Sequence, residues 1–235
     1  MTLPVIHRVT TLKLDVQSWS WPFARERGAE IAAHFASKQR EKPQIWNGRL
    51  LLARHPVFTV SGFCAGYFET DFASFLAWRD WGFPDRDVFN GFGMGALRSN
   101  DGAFVLGEMG QHTANAGRIY FPSGTPDLDD ISQGSVDIAG SVVREVAEET
   151  GLTEADYRAE AHWDCVVSGA SVAMIRVLNV DSPGEALRTR IEANLARQRQ
   201  PELSAVHLVR DVGDLTAAMP RFVTAFIEKQ LAKSP

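Results

Sequence analysis

Apolar and polar residues alternate through residues 4–16, where Val, Thr and Leu are interleaved with Lys, Asp and Arg. That period of two predicts a half-buried strand. Pro22-Phe23-Ala24 then opens a helical stretch to about Lys42, with Arg25, Arg27, Glu30, Lys38, Arg40 and Glu41 on its outer positions. Residues 45–54 and 57–64 read as a hairpin turned at His55-Pro56. Asp71 caps a short helix reaching about Trp81, which Gly82 and Pro84 end.

Past residue 85 the pattern changes. Residues 93–98 and 103–108 form a second hairpin around Asn100-Asp101-Gly102, a sequence compatible with a type I′ turn, and residues 117–121 form a strand. A helix over 138–150 is bounded by Asp137 as N-cap and Gly151 at the C′ position, and Ile138, Ala139, Val142, Val143, Val146 and Ala147 give it one apolar stripe. Strands at 162–167 and 171–178, a helix at 184–198, a strand at 205–210 and a closing helix at 220–232 complete an α/β (α+β) chain. The change in pattern divides it into an N-terminal α+β extension, residues 1–85, and a second domain, residues 86–235.

The helix at 138–150 also carries the candidate chemistry. Glu145, Glu148 and Glu149 fall within an arc of roughly 100° on its surface, where neighbours at i,i+3 and i,i+4 lie about 5–6 Å apart. Like charges so placed repel, whereas hard divalent cations seek carboxylate oxygens. Glu145 and Glu149 border the apolar stripe rather than oppose it. On spacing alone an ordinary acidic surface helix and a cation-binding face both remain open.

Arg144-Glu145-Val146-Ala147-Glu148-Glu149-Thr150-Gly151-Leu152 resembles, without a departure, the C-terminal half of the Nudix box, G-x5-E-x7-R-E-U-x-E-E-x-G-U with U a bulky aliphatic. The resemblance implies a Nudix-like α/β/α sandwich with a mixed sheet over about residues 87–235. It implies Mg²⁺ or Mn²⁺ as cofactor, with Glu145, Glu148 and Glu149 as metal ligands. The arginine corresponding to Arg144 pairs with and orients a glutamate. The N-terminal half of the box departs: Val136 stands where the family has glutamate and Asp130 where it has glycine. A loop insertion accounts for this. Phe121-Pro122-Ser123-Gly124 resembles the family's F-P-G-G, and after Gly124 and five intervening residues comes Asp130, an acidic stand-in for the first glutamate, followed by thirteen residues instead of seven before Arg144. The surplus of six lies within Asp130–Val136.

Composition narrows the partners. The chain has 235 residues, 45% of them apolar, enough for a substantial core, and a net charge of −5 without a basic stripe, which argues against nucleic-acid polymers. The opening Met-Thr-Leu-Pro has no basic segment before an apolar run, and residues 166–180 are interrupted by Ser168, Gly169, Ser171 and Arg176. Neither a signal peptide nor a membrane span is expected, and the default location is cytoplasmic. Cys64 and Cys165 are far apart in apolar surroundings and read as structural thiols.

The activity that the resemblance implies is metal-assisted hydrolysis of a nucleoside diphosphate linked to a moiety X, by a pyrophosphohydrolase; a homodimer is compatible with it. The long aromatic extension is similar to that of family members acting on nucleotide sugars. The resemblance implies that the water's proton goes either to a box glutamate or to an acid from a loop near the C-terminal strand, where Glu202, before the strand at 205–210, is the candidate. Phe72, Phe75 and Trp78 at i, i+3 and i+6 fit inward packing better than base stacking, and His112 and Asn115 precede the box loop. Two alternatives stay open: a catalytically inactive Nudix-fold module that senses a nucleotide, and an unrelated α/β protein with a coincidental acidic helix.

Overall fold

A computed structural model describes residues 3–232. The N-terminal alternation resolves into two strands, β1 (Val5–Val9) and β2 (Thr11–Val16), rather than one. They part at Thr10, whose backbone N–H donates to Ser61 O. β1 runs antiparallel to β12 (Trp163–Ser168), and β2 runs parallel to β4 (Gly62–Asp71). The helical stretch is likewise divided, into α1 (Pro22–Glu26) and α2 (Gly28–Glu41).

β3 (Arg49–Phe58) passes straight through His55-Pro56. His55 takes a positive φ of 55°, and the register against β4 slips between Arg54 and Val57, so the residues predicted as a turn form a bulge. The chain reverses further on, where Thr59 N–H donates to Gly62 O. α3 (Phe72–Asp80) starts as predicted, with Asp71 accepting from Ser74 N–H.

β5 (Val88–Ser99) is the spine of the mixed sheet. It pairs in parallel with β13 (Ser171–Val180) along ten residues, antiparallel with β3 at Ala53 and Arg54, and antiparallel with β6 (Phe104–Met109). The turn between β5 and β6 is not type I′. Only Gly102 is left-handed, and its N–H closes a four-residue turn on Ser99 O, while Asp101 accepts from the N–H of Gly184 at the start of α5 (Gly184–Leu195). The Asp101 side chain thus ties that turn to the next helix.

The surplus within Asp130–Val136 is a hairpin rather than a plain lengthened loop. β9 (Ile131–Ser132) and β10 (Ser135–Val136) pair across Gln133 and Gly134, both at positive φ, and Ser135 pairs with Asp15 of β2. Val136 is buried in the core. Short β7 (Ile119–Tyr120), β8 (Ser123–Gly124), β11 (Tyr157–Ala159) and β14 (Leu203–Val209) complete the pairing, and α6 (Arg221–Leu231) closes the chain.

Helix α4 (Ile138–Thr150) coincides with the predicted 138–150, with Asp137 accepting from Gly140 N–H and Gly151 left-handed at φ 75°. It lies close on β5 because Gly93 and Gly95 present no side chain there. A Cβ on Gly95 would meet Val146 at 2.6 Å and Leu178 at 2.9 Å, both fully or nearly fully buried. Gly95→Ala is expected to cost about 1–3 kcal/mol, because overpacking exceeds the roughly 0.5–1 kcal/mol that losing a strand glycine returns. A lower denaturant midpoint at unchanged slope would show it.

One apolar core lies around this packing, and a second joins Trp21, Phe23, Ile31, Phe35, Phe68 and Trp78 of the extension. Asp164 on β12, 1% exposed, accepts from Arg8 on β1 and from Lys229 and Gln230 on α6. Cys165 is buried and Cys64 half-buried, and both are free. Among the described residues no helix is long and apolar enough to cross a membrane.

Candidate functional site

Helix α4 and the segment 121–130 that approaches it build the site. Asp130 ends a short 3₁₀ turn, Leu128–Asp130, and its side chain is almost wholly buried. Its carboxylate accepts from Arg144 Nη1 at 2.7 Å and Nη2 at 3.2 Å, and from Asp127 N–H at 3.0 Å. With those bonds made, Asp130 is a positioning residue: it holds the Arg144 guanidinium, which also reaches Glu145 Oε1 at 3.4 Å. The paired carboxylates hold Arg144 above its ordinary range, the Asp130 hydrogen bond foremost.

The three glutamates of the helix are placed unequally. Glu149 is 3% exposed; its Oε1 accepts from Ser123 N–H at 3.1 Å, and its Oε2 is buried without a hydrogen-bond partner among the described residues. Burial pushes its carboxyl well above the usual carboxylate range, partly offset by the Ser123 N–H and reinforced by Glu145, Glu202 and Glu148. Glu145 is pushed up to about 7 by burial, against the pull of Arg144 and with added repulsion from Glu148 and Glu202. Glu148 is exposed, and its backbone carbonyl accepts from Gln198. Among the described residues no three His, Cys, Asp or Glu side chains already close around an ion. Glu145 and Glu149, one turn apart, are tied to different partners, Arg144 and Ser123.

A cavity of about 640 Å³ opens beside this helix, with Glu145, Asp127 and Glu202 in its lining. Glu202 therefore reaches the same cleft as Glu145 and raises the carboxyls of both Glu145 and Glu149. Tyr120, buried and raised by that burial, receives a hydrogen bond from Asn115 at 3.1 Å in the same wall. His112 lines the cavity too.

The extension supplies the facing wall. Lys42 Nζ donates to Thr113 O and Gln44 Nε2 to His112 O, each at 2.8 Å, docking residues 42–44 on the loop before β7. Trp46 lines the cavity at 76% exposure. Phe72 and Phe75 line it as well, while Trp78 is fully buried, so the three-residue spacing divides between cleft and core. The apolar spacing indicated packing but not which members would border a cavity.

Gly124 sets the fit between the box loop and the helix. A Cβ there would overlap the Glu145 carboxylate, with Cδ at 2.6 Å. If Glu145 ligates a divalent cation, Gly124→Ala is expected to swing it aside and weaken that cation's affinity at least about tenfold, as one lost charge-assisted contact does, with little change in stability because the colliding atoms are the far end of a side chain. Metal titration followed by calorimetry, beside a thermal melt, checks both halves.

No family model and no curated protein matches the chain. Among solved structures it aligns with a Nudix hydrolase from M. smegmatis at 13% identity, over 62% of this chain and 86% of that one, TM-score 0.39. It aligns with a C. elegans Ap4A hydrolase at 12% identity, over 60% and 93%, TM-score 0.38. A third alignment is to a bifunctional NMN adenylyltransferase/ADP ribose pyrophosphatase from Francisella tularensis, complexed with AMP and a manganese ion, at 14% identity, over 68% and 46%, TM-score 0.41.

Proposed function

We propose that this protein is a metal-dependent hydrolase that cleaves the diphosphate linkage of a nucleoside diphosphate joined to a second moiety X, nucleotide sugars being one class of such substrates. The observation that carries the reading is Glu149: a carboxylate oxygen buried without a partner among the described residues, near three other carboxylates, Glu145, Glu202 and Glu148, that each raise it. A buried acceptor left unmade costs about 1–3 kcal/mol, more when charged, and the neighbouring carboxylates repel it in the absence of a cation. Such a donor set fits a hard divalent cation such as Mg²⁺ or Mn²⁺. Glu145, Glu148 and Glu149 would hold it. Bound there, such a cation supplies charge neutralisation for the diphosphate's non-bridging oxygens and acidifies an attacking water.

The chain's own groups define the remaining roles. Arg144, held by Asp130, fixes the Glu145 carboxylate; the Ser123 N–H fixes one oxygen of Glu149 and leaves the other available. Glu202, on the segment before β14, lines the same cleft and would accept the proton of the attacking water on a carboxylate oxygen. Phe72, Phe75 and Trp46 line the facing wall and would offer flat apolar surface to a base.

The test is a panel of nucleoside diphosphate conjugates incubated with Mg²⁺ or with chelator, reading release of phosphorus-containing products. Hydrolysis that requires the cation and is lost in Glu145→Gln supports the reading. Tight binding without products would make the protein a nucleotide-binding sensor, and products formed equally in chelator would place the chemistry elsewhere.

A further inference from the structure

A second cavity, of about 650 Å³, adjoins the carboxylate cleft; Phe72, Phe75, Asn115, Tyr120, Gly124 and Thr125 line both. Its charge is of the opposite sign. Arg79, Arg118 and Arg221 line it, and among the described residues no Asp or Glu does. The four other cavities described each include a carboxylate, whether Asp181, Glu69 and Asp71, Asp87, or the cleft's own Asp127, Glu145 and Glu202.

Arg79 is paired with Asp80, but the Arg118 and Arg221 side chains have no hydrogen bond or ion pair among the described residues. Arg118 stands just before β7 and Arg221 opens α6. Solvent-facing arginines are common on protein surfaces. These two differ in lining an acid-free cavity that shares a wall with the proposed reaction site, on a chain of net charge −5. Phe92 and Phe222, edge to face at 5.6 Å, give the cavity apolar surface beside the guanidiniums.

We infer that this cavity receives an anionic group, a carboxylate or phosphate, borne by the X side of the substrate, with Arg118 and Arg221 as its binding residues. The inference rests on the diphosphate lying at the carboxylate cleft as proposed above. Guanidinium pairs carboxylate and phosphate by charge-assisted, often bidentate, hydrogen bonds. The protein would therefore select among nucleoside diphosphate conjugates by the charge of X.

Two substrate pairs that differ in one anionic group on the X side test it: UDP-glucose against UDP-glucuronate for a carboxylate, and ADP-ribose against ADP-ribose 1″-phosphate, phosphorylated on the distal ribose, for a phosphate. Dissociation constants are measured by calorimetry on the Glu149→Gln protein with Mg²⁺, and kcat/KM on the wild type. The charged member of at least one pair should bind about tenfold more tightly or better, and Arg118→Gln/Arg221→Gln should erase that ratio while leaving the neutral member within about twofold. Which pair responds tells carboxylate from phosphate. A ratio near one in both pairs, or a ratio that survives the double substitution, overturns the inference. Turnover of the neutral members without any ratio sinks this inference alone; a ratio in binding with no turnover by the wild type sinks the hydrolase reading alone.

Discussion

Glu149→Gln is expected to remove about 3–5 kcal/mol of transition-state stabilisation, a loss of roughly 10²–10⁴ in kcat, while the protein stays folded. The two halves of that expectation have separate causes. Gln keeps the side-chain shape and an amide oxygen that can still accept from Ser123 N–H, so the box loop keeps its anchor. What is lost is one negative charge at a buried oxygen that nothing among the described residues satisfies. If that oxygen existed only to complete the packing, the substitution would stabilise the protein and leave turnover unchanged. Single-turnover rates at saturating Mg²⁺, beside circular dichroism, separate the outcomes: hydrolysis within a few-fold of wild type would remove Glu149 from the chemistry.

How much of this was legible in the sequence varies with how local each cause is. α4 was legible to the residue because both of its boundaries are set by adjacent side chains and backbone, Asp137 accepting from Gly140 N–H and Gly151 in the left-handed region. The displaced hairpin turn at His55-Pro56 shows the limit of such rules. Proline signals a turn, yet pairing with β4 on both sides of it carries the strand through as a bulge. The insertion hairpin depends on Ser135 meeting Asp15, a contact that no window around residue 130 contains.

The site divides in the same way. Arg144, Glu145, Glu148 and Glu149 lie in one helical window, but Asp130 as the anchor of Arg144 becomes visible only when the segment 121–130 is seen folded against α4. Glu202 was a candidate only because the family resemblance points to a loop acid near the C-terminal strand, and the fold brings it into the cleft. Arg118 and Arg221 had no sequence signal, being single cations on separate elements that share only a cavity.

The same buried carboxylates should make stability depend on both metal and pH. Glu145 titrates near 7 in the folded, metal-free protein, above its ordinary value of 4.5. A carboxyl whose folded pKa is raised stabilises the fold in its protonated form; that contribution is fully present below the unfolded pKa and is lost as pH rises through the folded one. In chelator, stability should therefore fall between about pH 4.5 and 7, by on the order of 3 kcal/mol from Glu145, with Glu149 adding in the same direction. Mg²⁺ or Mn²⁺ should reverse the loss, since a cation that binds only the folded state stabilises it by about 2.7 kcal/mol at a hundredfold excess over Kd, or roughly 5–10 °C in Tm for a chain of this size. The double variant Glu145→Gln/Glu149→Gln should melt higher than wild type in chelator at pH 8, show a flatter profile across that window and lose the metal response. Melting curves at several pH values, with metal and with chelator, decide the matter. A metal-induced rise that persists in the double variant would put the ion away from α4, and a wild-type profile that is flat without metal would mean that these carboxylates are solvated rather than held in a dry, repulsive cluster.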